Sequence, residues 1–311
     1  MSEFHHVSVL LEECIEALNI KPDGIYVDGT LGGGGHSRRI AAQLTTGRLI
    51  GIDRDPVALA AAGERLKPFA DRVTLVHSNF DEMDTVLKDL GIPGVDGILM
   101  DLGVSSPQLD DGSRGFSYMT DAPLDMRMNG EDTLDARQIV NTWSYEELKR
   151  ILYDYGEERY APRIAGAICK RREEAPIETT LELVDIIRGA MPAAALREKQ
   201  HPAKRSFQAI RIAVNDELGS VERVMKGAVP CLNPGGRLAV ITFHSLEDRI
   251  VKNAMAEAAK GCICPREFPV CVCGRKPQVK IITRKPITAT DDELAANPRA
   301  RSAKLRVCEK L

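Results

Sequence analysis

Apolar residues in the first hundred positions come as short continuous runs, separated by stretches in which they recur every three or four residues. The runs read as buried strands and the stretches as amphipathic helices. Residues 24–28 (GIYVD), 48–53 (RLIGID), 73–76 and 95–101 (VDGILMD) are the four strands predicted. Asp55-Pro56, an N-cap followed by proline at the first helical position, opens an alanine-rich helix to Leu66. Met83, Val86, Leu87 and Leu90 recur at helical spacing before Gly91. Strands alternating with helices predict an α/β chain with a parallel sheet and crossover helices.

From about residue 111 to 205 the pattern changes to polar turns and helices without strand signals. Ser144 to Glu147 is a capping box opening a helix with Leu148, Ile151, Leu152 and Tyr155 on one face, and Thr179 to Glu182 opens another. The lone Trp143 is assigned to the core of this segment. Sheet-like patterning then resumes. Phe207, Ile210, Val214, Leu218, Val221 and Met225 predict one long amphipathic helix, and the 233–236 turn (NPGG) leads into a strand over 237–243. A capping box from Ser245 to Asp248 opens a further helix, and a last strand lies near 305–309. The expected organisation is a discontinuous α/β domain, residues 1–110 and 206–311, interrupted by a helical insert over 111–205.

Candidate chemistry lies at the strand ends. Asp28-Gly-Thr-Leu-Gly-Gly-Gly-Gly-His36 joins the first strand to a helix, where doubly wound folds bind nucleotides. A dinucleotide site wants G-x-G-x-x-G, but after Gly32-x-Gly34 the third place holds Ser37, and no Walker-type Gly-Lys-Ser/Thr is present. S-adenosylmethionine has a sulfonium, an ammonium group, a ribose diol and an adenine ring, and carboxylates suit the first three. Asp28 ends the first strand, Asp53 ends the second and can accept both ribose hydroxyls, Ser78-Asn79-Phe80 follows the third, and Asp101 ends the fourth.

These residues carry a resemblance. The segments Asp28–His36, Gly51-Ile-Asp53-Arg-Asp55, Asp101-Leu-Gly-Val-Ser-Ser-Pro-Gln-Leu109, Gly156-Glu-Glu-Arg159 and Phe243-His-Ser-Leu-Glu-Asp-Arg249 closely resemble the RsmH (MraW) family of bacterial small-subunit rRNA cytosine-N4-methyltransferases, over almost the whole chain. The resemblance implies a Rossmann-like class I methyltransferase with an inserted all-helical subdomain. It implies S-adenosylmethionine as cofactor, held by Gly34, Gly35, His36, Asp53, Phe80, Asp101 and Gln108, to which the reading of the loop adds Asp28 and Gly32. Thr30 stands where the first loop glycine of methyltransferases usually does. The implied substrate is a decoding-centre (P-site) cytidine of 16S rRNA in the small ribosomal subunit.

An exocyclic cytosine amine is a weak nucleophile because its lone pair is delocalised into the ring. Hydrogen-bond acceptors that localise the lone pair and hold the nitrogen in line with the methyl supply most of the rate. The D/N/S-P-P-Y/F tetrapeptide that many amino-methyltransferases use is absent. In its place Asp101, with Ser105 and Ser106 four and five residues on, offers acceptors, and His244 at the end of the 237–243 strand is a further candidate, with a structural and a site role equally weighted. Phe116 and Tyr118 are candidates for stacking on the base. His5 and His6 are assigned to packing or surface.

Composition sharpens this picture. The 311 residues contain 42 Lys+Arg and 45 Asp+Glu, a net charge of -3 that by itself speaks against nucleic acid. The charge is sorted, however: residues 261–311 hold 11 Lys+Arg against 5 Asp+Glu, a balance of +6. Further bases cluster in the insert at Arg159, Arg163, Lys170 to Arg172, Lys199, Lys204 and Arg205. This arrangement suits an acidic polymer. Cys262-x-Cys264 and Cys271-x-Cys273 could supply four thiolates to a structural zinc, although zinc ligands usually stand two or more residues apart within a pair, and reduced surface thiols explain them as well. Residues 1–14 hold three Glu and no Lys or Arg and no run approaches a bilayer span, so a cytoplasmic protein without membrane partners is expected. Two rivals stand beside the methyltransferase: an NAD-dependent dehydrogenase, and a non-catalytic RNA-binding ribosome assembly factor on the same fold.

Overall fold

The computed structural model describes residues 8–105, 108, 111–265, 270 and 272–311. Two compact units divide it, one formed by residues 1–103 and 218–311, the other by 104–217. The breaks fall at 103/104 and 217/218 rather than the expected 110/111 and 205/206.

In the first unit, a short helix α1 (Leu11–Leu18) precedes strand β1 (Ile25–Asp28). Helix α2 (Gly35–Ala41), β2 (Arg48–Asp53), α3 (Pro56–Leu66), β3 (Val73–His77), α4 (Met83–Asp89) and β4 (Val95–Asp101) follow, as the patterning predicts. Asp55 caps α3, its side chain accepting from the Val57 N–H at 3.0 Å. The described strands form one sheet in the order β3-β2-β1-β4-β5-β7-β6, where β5 is Leu232–Thr242, β6 is Val279–Ile281 and β7 is Lys304–Lys310. Neighbours from β3 to β5 are parallel and β7 runs antiparallel to both β5 and β6. This is a Rossmann-like, doubly wound sheet with an antiparallel edge. Its faces alternate as a pleat requires: Ile98, Met100, Leu238 and Val240 enter one core, Leu99, Ala239 and Ile241 the other. The strand order reverses between β1 and β4, so the crevice at their C-terminal ends is the ligand position of such folds.

The second unit is helical, with α5 (Ala136–Thr142), α6 (Tyr145–Asp154), α7 (Ala161–Glu174), α8 (Thr180–Ala190) and α9 (Lys204–Asn215) around one apolar core. Both predicted capping boxes form, at Ser144/Glu147 and Thr179/Glu182. Leu148, Ile151 and Leu152 are buried, and Trp143 and Tyr155 pack against this core.

Two expectations are corrected, and one strand was not anticipated. The long helix through residues 207–225 is two helices, α9 and α10 (Glu217–Cys231), broken at Asp216, which takes the left-handed conformation (φ 47°). Phe207, Ile210 and Val214 therefore pack into the helical unit, whereas Val221 and Met225 pack on the sheet. The helix α11 (Ser245–Ala258) is capped by His244 rather than Ser245, and its box partner is Glu247 rather than Asp248. The three-residue β6 had no patterning long enough to announce it.

Candidate active site

The glycine loop after β1 is tied down on all sides. Gly29 N–H donates to the Leu99 carbonyl at 2.9 Å and Leu31 N–H to that of Ile52 at 3.0 Å, which pins the loop to β4 and β2. Gly34 lies at φ 73° as the N-cap of α2, where a Cβ would also meet that of Ala62 at 3.2 Å. A Cβ on Gly35 would run into Ser8 Oγ, so a side chain there requires Ser8 to move. Gly32, at φ 50°, is the least crowded of these three: a Cβ there would meet only the Thr30 carbonyl oxygen, at 3.9 Å.

The carboxylates expected at the strand ends gather around this loop. Asp28 is 1% exposed and accepts from Thr30 N–H at 3.2 Å and from Ser37 Oγ at 2.7 Å; burial pushes it up to about 6 despite both bonds. Asp53 accepts the Gly32 N–H on Oδ2 at 2.7 Å and the Asp55 N–H on Oδ1 at 2.9 Å. One lone pair on each oxygen remains, which matches a diol. Burial again raises it to about 6. Asp101 is pushed furthest, to about 8, first by burial and then by the charges of Asp28 and Glu247. Its Oδ1 is enclosed with no hydrogen-bond partner, as is Oδ1 of Asn79 beyond β3. Two orphaned buried acceptors, one beyond the C-terminal end of β3 and one at that of β4, are costly unless a ligand with donors or positive charge satisfies them. S-adenosylmethionine carries both kinds of group, so the residues present fit it.

The remaining predicted residues divide. Phe80 begins the turn after β3, half-buried against the sheet core, with its Cβ 3.3 Å from where a Gly29 Cβ would lie. His36 is buried and its Nε2 donates to the Val9 carbonyl at 3.0 Å; burial lowers it to about 4, so the ring is neutral. In the helical unit, Gln108 Oε1 accepts the Ser105 N–H at 3.0 Å and Ser105 Oγ accepts the Gln108 N–H at 3.4 Å. The two thereby satisfy each other in capping-box fashion, a Ser-x-x-Gln signal that was present in the sequence. Ser106 lies outside the described residues. Phe116 is a buried core residue with the Arg114 guanidinium over its ring, so it is no platform for a base. Tyr118 stacks on His201 at 4.6 Å.

His244 uses Nδ1 to accept the Glu247 N–H at 3.4 Å, while Glu247, 1% exposed, accepts the Phe243 N–H at 2.9 Å. His244 Nε2 stands 3.0 Å from Glu247 Oε1. Asp248 binds Arg306 through two hydrogen bonds of 2.6 and 3.1 Å. Although burial works against the charge, this guanidinium holds Asp248 below the usual carboxylate range and ties α11 to β7.

Thr30 and Ser37 are site residues that motif reasoning left without a role. Thr30 Oγ1 accepts the Asp101 N–H at 2.6 Å, binding the loop to the end of β4. Ser37 anchors Asp28. Each stands where the generic motifs carry glycine, and that departure was the available signal.

The chain matches the MraW methylase family over residues 3–311. It belongs to that family. It is 60% identical over 310 residues to the ribosomal RNA small subunit methyltransferase H of Heliobacterium modesticaldum, covering 99% of both chains. The protein of the same name from Brevibacillus brevis is 59% identical over 309 residues, 99% of this chain and 98% of its own. That from Geobacter sp. strain M21 is 57% identical over 312 residues, with full coverage of both.

Within this MraW methylase chain the shared motifs have distinct jobs. Residues 28–36, 53 and 101 bring three acids together at the ends of β1, β2 and β4. The Gly156–Arg159 motif builds the turn between α6 and α7: a Gly156 Cβ would lie 2.7 Å from two carbonyl oxygens, and buried Glu158 accepts the Tyr160 N–H at 2.9 Å. Arg159 pairs with Glu198 at 2.7 Å, and Arg205 reaches the Glu157 carbonyl at 3.2 Å, so part of the basic cluster serves the helical unit itself. Among the described residues no helix is long and apolar enough to cross a membrane.

Proposed function

We propose that this protein transfers the methyl group of S-adenosylmethionine to the N4 amine of a decoding-centre (P-site) cytidine in 16S rRNA of the small ribosomal subunit, and so acts in the cytoplasm. The observation that carries methyl transfer is the enclosed, unpartnered Asp101 Oδ1 within a set of three acids, Asp28, Asp53 and Asp101, that end the adjacent strands β1, β2 and β4. Full-length similarity to proteins named small subunit rRNA methyltransferase supports the RNA substrate. The cytosine N4 position rests on the resemblance of the Asp101 and His244 segments.

When bound, S-adenosylmethionine supplies an electrophilic methyl on a sulfonium. The chain's own residues bind and orient. Asp53 takes the ribose diol, Asn79 and Phe80 the adenine, and the loop at Gly32 allows close approach. Asp101 offers a carboxylate acceptor near the methyl and the incoming amine, and its charge is more stable beside a cation than in the free protein. Asp28, Thr30 and Ser37 hold that geometry. His244 is assigned a positioning part, fixing the junction of β5 and α11.

A dehydrogenase would place a pyrophosphate against the same loop, where Ser37 replaces the third glycine of the dinucleotide motif. Titration calorimetry with S-adenosylmethionine and with NADH separates the readings. Binding of the first alone, lost in Asp53→Ala, is expected; preference for NADH contradicts the proposal. A non-catalytic assembly factor would bind RNA with no transfer of label.

A further inference from the structure

The segment between α11 and β6 is long and lacks secondary structure among its described residues, an uncommon feature in a compact domain. Its base is cinched. Arg275 bonds both the Glu257 carboxylate, at 2.7 Å, and the Glu257 carbonyl, and Gln278 N–H donates to the Ala258 carbonyl at 2.8 Å. Among the segment's described residues the large apolar side chains are not held by a core: Ile263, Val270 and Val272 are 58%, 70% and 74% exposed. Something other than burial must order it.

Three sulfurs converge there. The Sγ atoms of Cys262, Cys264 and Cys273 all lie within 4.8 Å of one another, and those of Cys262 and Cys273 are 3.8 Å apart. Thiolates on a tetrahedral zinc, with Zn–S bonds of about 2.3 Å, stand about 3.8 Å from one another. Backbone donors also point at sulfur. Cys264 N–H reaches Cys262 Sγ at 3.4 Å, and Val272 N–H reaches Cys264 Sγ at 3.4 Å. A neutral thiol is a weak acceptor, whereas a metal-bound thiolate carries the charge such donors favour. Gly274, at φ 62°, lets the chain turn away directly after Cys273.

We propose that Cys262, Cys264 and Cys273 bind a structural zinc ion that staples the segment closed. The inference rests on these three thiols. Cys271, the fourth cysteine of the expected quartet, lies outside the described residues. The ion is remote in role from methyl transfer: it replaces the missing core of an exposed segment, as metal binding does when it supplies folding energy outright.

The test is metal analysis of the full-length protein purified without chelator under reducing conditions, with cobalt(II) titration of the stripped protein and limited trypsin digestion. Expected are about one zinc per chain, thiolate-to-cobalt absorption bands, and cleavage near Lys260 and Arg275 that appears only after stripping. Cys262→Ser and Cys273→Ser should each lose the zinc and the bands while circular dichroism of the remaining fold is unchanged. Should a variant misfold, the wild-type titration still decides. Absence of zinc and of cobalt bands in the reduced wild type, metal retained in the Cys262→Ser/Cys273→Ser double variant, or a Cys262–Cys273 disulfide in the isolated protein would each overturn the proposal.

Discussion

Asp101 is the residue on which the electrostatics of the crevice turn. Raised from the usual 3.8 to about 8, it keeps a proton in the ligand-free fold that the unfolded chain has released. Its contribution to stability therefore falls as pH rises from about 4 to about 8. A bound cation favours the charged form and reverses the sense. Affinity for S-adenosylmethionine should rise with pH, by up to roughly tenfold between pH 7 and 8.5. Asp101→Asn should bind more weakly at the upper pH and lose the dependence; calorimetry across this range reads both, and a flat wild-type profile contradicts the assignment. His36 has the opposite sign. Held neutral and lowered to about 4, it costs stability as pH falls below 6.5. Ser37→Ala removes a buried bond to Asp28 and should destabilise by about 1–3 kcal/mol, read as a lowered chemical-denaturation midpoint. The acids were legible in the sequence because each ends a strand. Thr30 and Ser37 were not, because their roles consist of hydrogen bonds to positions distant in sequence.

At the scale of elements, the cap on α11 separates a structural from a catalytic histidine. His244→Ala should cost about 1 kcal/mol through the lost cap, whereas Asn, a good capping residue, should restore stability. With His244 a positioning residue, His244→Asn should also keep turnover within a few-fold of wild type. A large fall in turnover at unchanged thermal midpoint would instead place the imidazole against the base. Strands buried on both faces and helices opened by Asp55-Pro56, Ser144 and Thr179 were readable because their signals are local. The break at Asp216 was hidden. Its apolar stripe keeps helical period across the break, and no glycine or proline marks the point where one face stops serving the helical core and begins serving the sheet.

For the whole molecule, the near-neutral total of -3 joins an acid-lined crevice to a tail with a balance of +6. If the exposed tail bases meet phosphates, Arg284→Glu and Lys285→Glu should weaken binding to 16S rRNA. The slope of log affinity against log salt should shrink by about one per charge removed, with affinity for S-adenosylmethionine unchanged. Equal salt slopes would remove the tail from the interface. The α/β class and the helical interruption were legible because both rest on periodicity. The boundaries at 103/104 and 217/218 were not, because they follow from which core α9 and α10 join. The most direct test of the central claim is transfer of label from methyl-tritiated S-adenosylmethionine to small ribosomal subunits from cells lacking this protein, followed by nucleoside analysis of the 16S rRNA. The account predicts one labelled product, N4-methylated cytidine, abolished in Asp53→Ala; label on cytosine C5 or a ribose hydroxyl, or no transfer by a protein that binds the cofactor, would contradict it.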